Sequence, residues 1–432
     1  MTFQVQEGFF ETLGSDALRD IQLARLQDMV DELLASNVFH QKKLAAAGIS
    51  DARDIRTMGD FQSLPFTTKD EFVQDQAAHP PFGTNLTFPF ERYTKVHQTS
   101  GTTGDPLRVL DTEDSWAWIA KCWHDIYRAA GVTDQDRIFF AFSFGPFLGF
   151  WSAYEGAQRL GALAVPGGGM TSSQRAIAIV ANDITVLVST PTYALHLAEA
   201  ARKERIDLAA SKVRITIHAG EPGASMPNTK ARIEQAWGAF SYDHAGATEV
   251  GAWGFACSAQ GGLHVNEAEF ICEIIDSSTG EPAREGELVM TNLGRRGMPV
   301  IRYRTGDRVV LARDDCACGR TYALLEGGVL GRVDDALIVR GVNVFPSAIE
   351  NVVRGQREID EFAVDVHREN ELDDLTIRIE VDGDELETVA SRLDRDLRHS
   401  LGLRAQIEVV PNDSLPRFEL KARRFTDHRQ LN

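Results

Sequence analysis

The run from Ile138 to Gly220 constrains the fold more than any other part of the chain. Four short apolar segments, Ile138–Ser143, Ala162–Val165, Val186–Ser189 and Arg214–Ala219, alternate with helical patterns at Trp151–Leu160, Ser172–Asn182 and Tyr193–Glu204. Strands that are apolar throughout and separated by helices predict a buried parallel sheet. Ligands of such sheets bind in loops at the carboxyl ends of the strands. The loops opening at Gly145, Ser189, Gly220 and Asp243 occupy that kind of position.

Helices are expected on the amino-terminal side of this run. Leu18, Ile21, Leu23, Leu26, Met29, Val30 and Leu33 keep helical spacing, a second helix follows near Gln41–Ala47, and Thr68–Asp75 reads as a capped helix. From Ala268 the pattern turns to antiparallel strands: Glu269–Ile275, Gly286–Asn292, Val300–Thr305 and Arg308–Ala312. Beyond Gly331 come a strand at Ala336–Val339, a helix at Ser347–Arg354, strands at Glu361–His367 and Leu375–Val381, a helix at Glu385–Leu401 and a strand at Ala405–Val410. That order is the ferredoxin-like signature of a separate small domain. A chain of 432 residues exceeds what one core sustains, which agrees with two or more domains.

The formal net charge of −18, without a basic block, argues against nucleic acid or an anionic membrane as the main partner. The first residues show no secretory pattern, and Ile138–Tyr154 is too short and too broken by Gly145, Pro146 and Gly149 to span a bilayer. Five cysteines, an odd number, suit a reducing cytoplasmic setting.

Within this frame one stretch, Val96–Val109 (V-H-Q-T-S-G-T-T-G-D-P-L-R-V), invites a chemical reading. Glycines let a backbone approach a polyanion, and successive N–H groups with Ser/Thr hydroxyls surround phosphate oxygens. It lacks the Lys of a Walker A loop, and by itself it fits a polar hairpin turn equally well. Asp243–Glu249 (D-H-A-G-A-T-E) reads as a small-residue turn in which Glu249 is either a ligand for Mg²⁺ or a surface carboxylate. Tyr303–Asp307 (Y-R-T-G-D) ends a strand in a tight turn, where Asp307 either accepts from ribose hydroxyls or caps the turn.

Taken in order, T-S-G-T-T-G, A-G-E-P-G, D-H-A-G-A-T-E, Y-R-T-G-D, G-R-V-D-D and a late Lys421 resemble the motif series of adenylate-forming enzymes. G-V-N-V-F-P-S-A-I-E and M-P-V-I-R-Y-R-T-G-D look like the phenylacetate–CoA ligase family in particular, and the resemblance runs from about residue 10 to the end. It implies an α/β fold: a large domain, 1–332, with mixed and parallel sheets flanked by helices and a β-rich subdomain near 250–330. A small mobile α+β ferredoxin-like domain, 333–432, would follow, hinged near Asp334. It implies that ATP activates a carboxylic acid as an acyl-adenylate, with pyrophosphate released, and that coenzyme A then displaces AMP. The family also leads one to expect a homodimer.

Carried over residue by residue, Thr99, Ser100, Gly101, Thr102, Thr103 and Gly104 would hold the β- and γ-phosphates, and Thr248 and Glu249 would serve the α-phosphate and Mg²⁺. Gly220, Glu221, Pro222, Asp243, His244 and Ala245 would line the adenine site, while Asp307 and Arg332 would meet the ribose. Lys421 would bridge the charge developing between carboxylate and α-phosphate. Three residues depart from the family pattern: Asp105 stands where a Lys is common, Ala245 where a Tyr stacks on adenine, and Leu420 where a Gly precedes the lysine.

Cys257, His264, Cys316 and Cys318 compose a Cys₃His set of the closed, structural zinc type; the alternative is three free thiols and a core histidine. Some phenylacetate–CoA ligase relatives are similar here. The aromatics of Phe139–Trp151 suggest a wall for a flat acid, with Tyr127, Phe142, Phe144, Phe147 and Ala219 as candidate lining. The reading is an aromatic acid–CoA ligase. Two alternatives stand beside it: an adenylating enzyme that passes the acyl group to an amine or carrier-protein thiol, and an inactive zinc-stabilised nucleotide-binding protein.

Overall fold

The computed structural model describes residues 8–99, 106–333, 335, 337–339, 342–369, 372–383, 386–418 and 423–429. The chain divides into two compact units, Met1–Val165 with His244–Gly328 and Pro166–Asp243 with Val329–Asn432.

In the first unit, the helix Ser15–Ser36 presents Leu26, Met29, Val30 and Leu33 to a core shared with Leu44, Ile55, Phe61, Ile271 and Leu293. This is the stripe its spacing requires. Thr68 caps the helix Lys69–Ala78 by a capping box with Glu71, and the helix runs three residues past its expected end. The strands Tyr93–Gln98 and Arg108–Thr112 pair antiparallel, with Gln98 opposite Arg108. Thr99 closes this ribbon, its N–H donating to the Leu107 carbonyl and its Oγ1 accepting from the Leu107 N–H, both at 3.0 Å.

An antiparallel ladder joins Phe270–Ile275, Glu285–Asn292 and Tyr303–Val310. Two strands were expected where Tyr303–Val310 is one. Gly306 adopts φ 75° and the partner strand shifts register between Glu287 and Val289, so the kink is absorbed as a bulge and pairing continues. A second correction concerns 243–249. Residues up to Ala247 belong to the strand Phe240–Ala247, and only 248–250 turn before the strand Gly251–Phe255. Further antiparallel pairing carries this ribbon to Gly262–Val265 and Leu324–Glu326.

In the second unit, Val186–Ser189, Ile215–His218 and the first half of Phe240–Ala247 pair in parallel. Every residue of the first two strands is buried, including the polar Ser189, Thr216 and His218, as expected of strands inside a parallel sheet. The helices Pro191–Lys203 and Pro227–Trp237 connect them, and the helix Ser172–Ala181 leads into the first. The carboxy-terminal sheet has the order Gln406–Val410, Leu372–Val381, Ile359–Glu369, Phe425–Asp427, and the helices Pro346–Arg354 and Leu386–Leu401 close its core with Ile349, Val353, Val389 and Leu393. An α+β sheet was expected here, but not this membership. Leu337–Val339 pairs with Val342–Val344 in a hairpin of three-residue strands, and the fourth place is taken by Phe425–Asp427, parallel to Ile359–Glu369. No described helix is long and apolar enough to cross a membrane.

Candidate active site and metal cluster

In the first unit, the turn 248–250 follows a strand of small residues. Its three successive carbonyls are all met by side chains from one segment. Arg295 Nη1 donates to the Thr248 carbonyl at 2.5 Å and the Glu249 carbonyl at 3.3 Å, and Asn292 Nδ2 donates to the Val250 carbonyl at 3.1 Å. The remaining edge of the Arg295 guanidinium forms a two-bond fork with Asp111, 2.7 Å for each bond. Both side chains of that pair are wholly buried. Burial pushes the Asp111 carboxyl up, but the Arg295 charge, the two Arg295 bonds and the nearby His97 ring, whose Nδ1 stands 3.8 Å away, outweigh it and hold the group below the usual carboxylate range. Asp111 lies on the strand that leaves the T-S-G-T-T-G stretch, so one ion pair ties that strand to the Thr248–Glu249 turn.

Glu249 is buried, and its Oε1 accepts from the Tyr303 hydroxyl at 3.3 Å. A carboxylate oxygen is the kind of donor that suits a hard cation such as Mg²⁺. Gly251 follows at φ 111°, and a Cβ there would come within 3.3 Å of the Trp118 ring. Asp307 is half-buried on Tyr303–Val310. The His244 ring is buried against Trp123 at 4.4 Å, and its Nδ1 bonds to the Gly254 carbonyl. Burial brings its pKa down to about 4. Ala245 faces Gly254 across the strand pair.

The expected acyl wall is an aromatic cluster. Phe142 stacks on Phe150 at 4.1 Å, Phe144 packs against Trp151 at 4.8 Å and Tyr154 at 5.6 Å, and Phe147 meets Phe150 edge-on at 6.0 Å. Tyr127 is fully buried with its hydroxyl donating to the Ala153 carbonyl. Phe144 and Phe147 are half-buried.

Cys257, His264, Cys316 and Cys318, apart in sequence, bring their ligand atoms within 4.8 Å of one another. Cys257 Sγ stands 3.5 Å from Cys316 Sγ, and Cys318 Sγ stands 3.4 Å from His264 Nε2. Neighbouring ligands of a tetrahedral zinc are separated by roughly this much, given Zn–S near 2.3 Å and Zn–N near 2.0 Å. His264 Nδ1 lies 3.1 Å from the Tyr322 carbonyl, the kind of contact that orients a ligating imidazole. The donor set fits a structural zinc. Asp365, His367 and His428 also converge, but Arg378 occupies the Asp365 carboxylate at 2.8 Å.

In the second unit, Gly220 turns out of the strand Ile215–His218 at φ 98°. Glu221 Oε1 accepts from the Thr192 N–H at 2.9 Å, at the start of the helix Pro191–Lys203. Asp243 accepts from the Ser225 hydroxyl. Ala219 is half-buried, whereas Pro222 and Arg332 are exposed. Ser100 to Gly104, Asp105, Asp334, Leu420 and Lys421 lie outside the described residues.

Arg424, three positions beyond Lys421, is 3% exposed and carries four bonds. It forks to Glu361 at 2.6 and 3.1 Å, reaches Glu350 at 3.2 Å and donates to Thr192 Oγ1 at 3.1 Å. Burial pushes the Glu361 carboxyl up, yet the charges of Arg354 and Arg424 dominate and bring it down to about 2. Arg417 likewise bonds Glu380 at 2.7 Å and Glu199 at 3.4 Å. Asp111, Asn292, Arg295, Glu361 and Arg424 escaped the sequence reading. A lone Asp or an Arg pair in a chain that is 25% charged carries no periodicity to mark it.

Residues 20–293 match the AMP-binding enzyme family and residues 341–429 the AMP-binding enzyme C-terminal domain. The chain is 31% identical to a phenylacetate–coenzyme A ligase of Thermus thermophilus, over 97% of this chain and 98% of that protein. It superposes on a 2-hydroxyisobutyryl-CoA ligase bound to an acyl-AMP with a TM-score of 0.92, at 30% identity, covering 97% of this chain and 91% of that one. The same ligase bound to 2-HIB-AMP and CoA superposes with a TM-score of 0.74 at 31% identity, with the same coverage. The protein is therefore an AMP-forming acid–CoA ligase, which activates a carboxylic acid with ATP as an adenylate and passes the acyl group to coenzyme A. Within that class, the chain belongs to the phenylacetate–coenzyme A ligase family.

Proposed function

We propose that the acid is an aryl or arylacetic acid. The observation that carries this reading is the cluster of Phe142, Phe144, Phe147 and Phe150 on one short segment, a surface suited to a flat apolar ring. The activity of its phenylacetate-using relatives supports it. In the first step a substrate carboxylate oxygen attacks the α-phosphorus and pyrophosphate leaves. In the second, the coenzyme A thiolate attacks the acyl carbonyl and AMP leaves with the bonding pair.

The residue roles follow the family pattern. Thr99 to Gly104 hold the outer phosphates through N–H groups and hydroxyls, since Asp105 offers no positive charge. Thr248 meets the α-phosphate, and Glu249 holds Mg²⁺, which would neutralise phosphate charge when bound. Gly220–Pro222 and Asp243–Ala245 line the adenine, Asp307 and Arg332 hold the ribose, and Lys421 stabilises the charge that develops as the carboxylate attacks. Residues 333–432 act as the small domain, with Asp334 as its hinge.

The Cys₃His cluster holds a structural zinc, supported by ligand separations of 3.4 and 3.5 Å. Protein purified without chelator should contain about one equivalent of zinc, and less than about half would sink this assignment.

The test of the substrate is pyrophosphate release across a panel of acids, with and without coenzyme A. Phenylacetate-like acids should turn over fastest. Faster turnover on long fatty acids overturns the aryl reading, and a preference for small branched hydroxy acids redirects it towards the 2-hydroxyisobutyryl-type ligase.

A further inference from the structure

Three successive carbonyls of the Thr248–Val250 turn are capped by two side chains, Arg295 and Asn292, and the Arg295 charge is cancelled by a buried carboxylate. Structural economy alone does not call for this arrangement. A buried guanidinium is costly to desolvate, and an apolar pair of similar volume commonly does as well for stability. The pair does do something an apolar pair does not: it fixes the backbone of Thr248 and Glu249, the two residues assigned to the α-phosphate and the cation.

We propose that Arg295, with Asn292, is a positioning residue for the cation site at Glu249, and that Asp111 neutralises it so that it does not compete with the cation. This rests on the reading of Glu249 as the Mg²⁺ ligand. Arg295 Nη1 straddles the Thr248 and Glu249 carbonyls, so both peptide planes are held, and the Tyr303 hydroxyl donates to the Glu249 carboxylate. Asp111 takes the other edge of the guanidinium with two bonds, leaving the neighbourhood of Glu249 without a net positive charge. The remaining negative charge on Glu249 is then available to Mg²⁺. Asp111 also sits on the strand leaving Val96–Val109, so the cation site and the phosphate-binding stretch share one fixed reference. Loss of such outer partners typically lowers metal affinity or activity by about 10- to 100-fold.

The experiment compares wild type, Asp111→Leu/Arg295→Met, Arg295→Lys and Glu249→Gln. Binding of Mg·ATP is measured by calorimetry without acid, and pyrophosphate release is measured as Mg²⁺ is varied. The double variant removes both charges together and should fold with a near-native melting temperature. It should nevertheless bind Mg·ATP about tenfold more weakly and need about tenfold more Mg²⁺ for half-maximal rate. Arg295→Lys keeps the charge but loses the planar fork, and should shift the same way, which provides the reading if the double variant does not fold. Wild-type Mg²⁺ dependence in either folded variant overturns the proposal. Glu249→Gln separates the two layers: unchanged Mg·ATP binding in that variant refutes the Glu249 assignment itself, whereas a loss there with none in the Arg295 variants refutes only the positioning role.

Discussion

Arg295 and Arg424 are both buried arginines, and they are held in opposite ways. Arg295 takes both oxygens of a carboxylate that no other arginine shares, with the His97 ring 3.8 Å from it, and spends its other edge on backbone carbonyls of a turn. Arg424 shares Glu361 with Arg354, whose Nη2 is 3.5 Å from the same carboxylate, and draws on Glu350 and Thr192 besides. The first arrangement is a closed pair that pins a turn. The second is a network in which one carboxylate serves two cations and joins the starts and ends of several elements. A shared carboxylate is the more dangerous one to lose, because two buried charges are then left facing each other.

The largest effect should come from Glu361→Ala. It strands Arg354 and Arg424, and breaking buried pairs in this way costs about 3–5 kcal/mol, so the urea midpoint followed by circular dichroism should fall markedly. Asp111→Ala should cost less, about 3 kcal/mol or under, because Arg295 keeps its two carbonyl acceptors. If Asp111→Ala proves the more damaging of the two, the distinction between closed pair and shared network fails.

Acid sharpens the same comparison. Glu361 is held at about 2, below its ordinary value of 4.5. A carboxyl depressed by folding contributes stability that is fully present above its ordinary value and is lost as pH falls towards its folded value. The stability gap between wild type and Glu361→Gln should therefore be steady above about pH 5 and shrink between about pH 4.5 and 2. Unfolding midpoints measured across that range check this, and a gap that widens on acidification would contradict the network's electrostatic reading.

How much of this was legible beforehand follows from how local each signal is. Val186–Ser189 was found to the residue because three successive apolar, partly β-branched positions between helices have few other uses. The Cys₃His cluster was found because soft ligands are scarce, so four of them near one β-rich region stand out. The strand Phe240–Ala247 does not read as one, and 243–249 reads as a turn, because His-Ala-Gly-Ala has little strand propensity; antiparallel pairing of His244–Ala247 with Gly251–Phe255 decides the matter. The exchange of Ala336–Val339 for Phe425–Asp427 in the carboxy-terminal sheet depends on a parallel pairing across some sixty residues, which no window contains. Arg295 finds Asp111 184 positions away and Arg424 finds Glu361 63 positions away. Motifs name residues that touch substrate; the residues that hold those residues still are chosen by distance in space.

The smallest expected effect tests whether the network needs its neutral member. Arg424 Nη1 serves both Glu350 and Thr192 Oγ1, so Thr192→Val removes one acceptor while charge balance and side-chain shape persist. A hydrogen bond to a charged group contributes about 1.5–3 kcal/mol when nothing replaces it, but Arg424 retains three bonds to carboxylates, so the loss should sit near 1 kcal/mol. The midpoint should shift slightly with an unchanged denaturant slope. Combining Thr192→Val with Glu361→Gln then reads the coupling directly. If the network acts as a unit, the double variant should lose less than the two single losses added together, because the Arg424 geometry that favours Thr192 is already gone. Strict additivity would mean that Thr192 and Glu361 hold Arg424 independently, and that the network is a set of pairs no different in kind from Arg295 with Asp111.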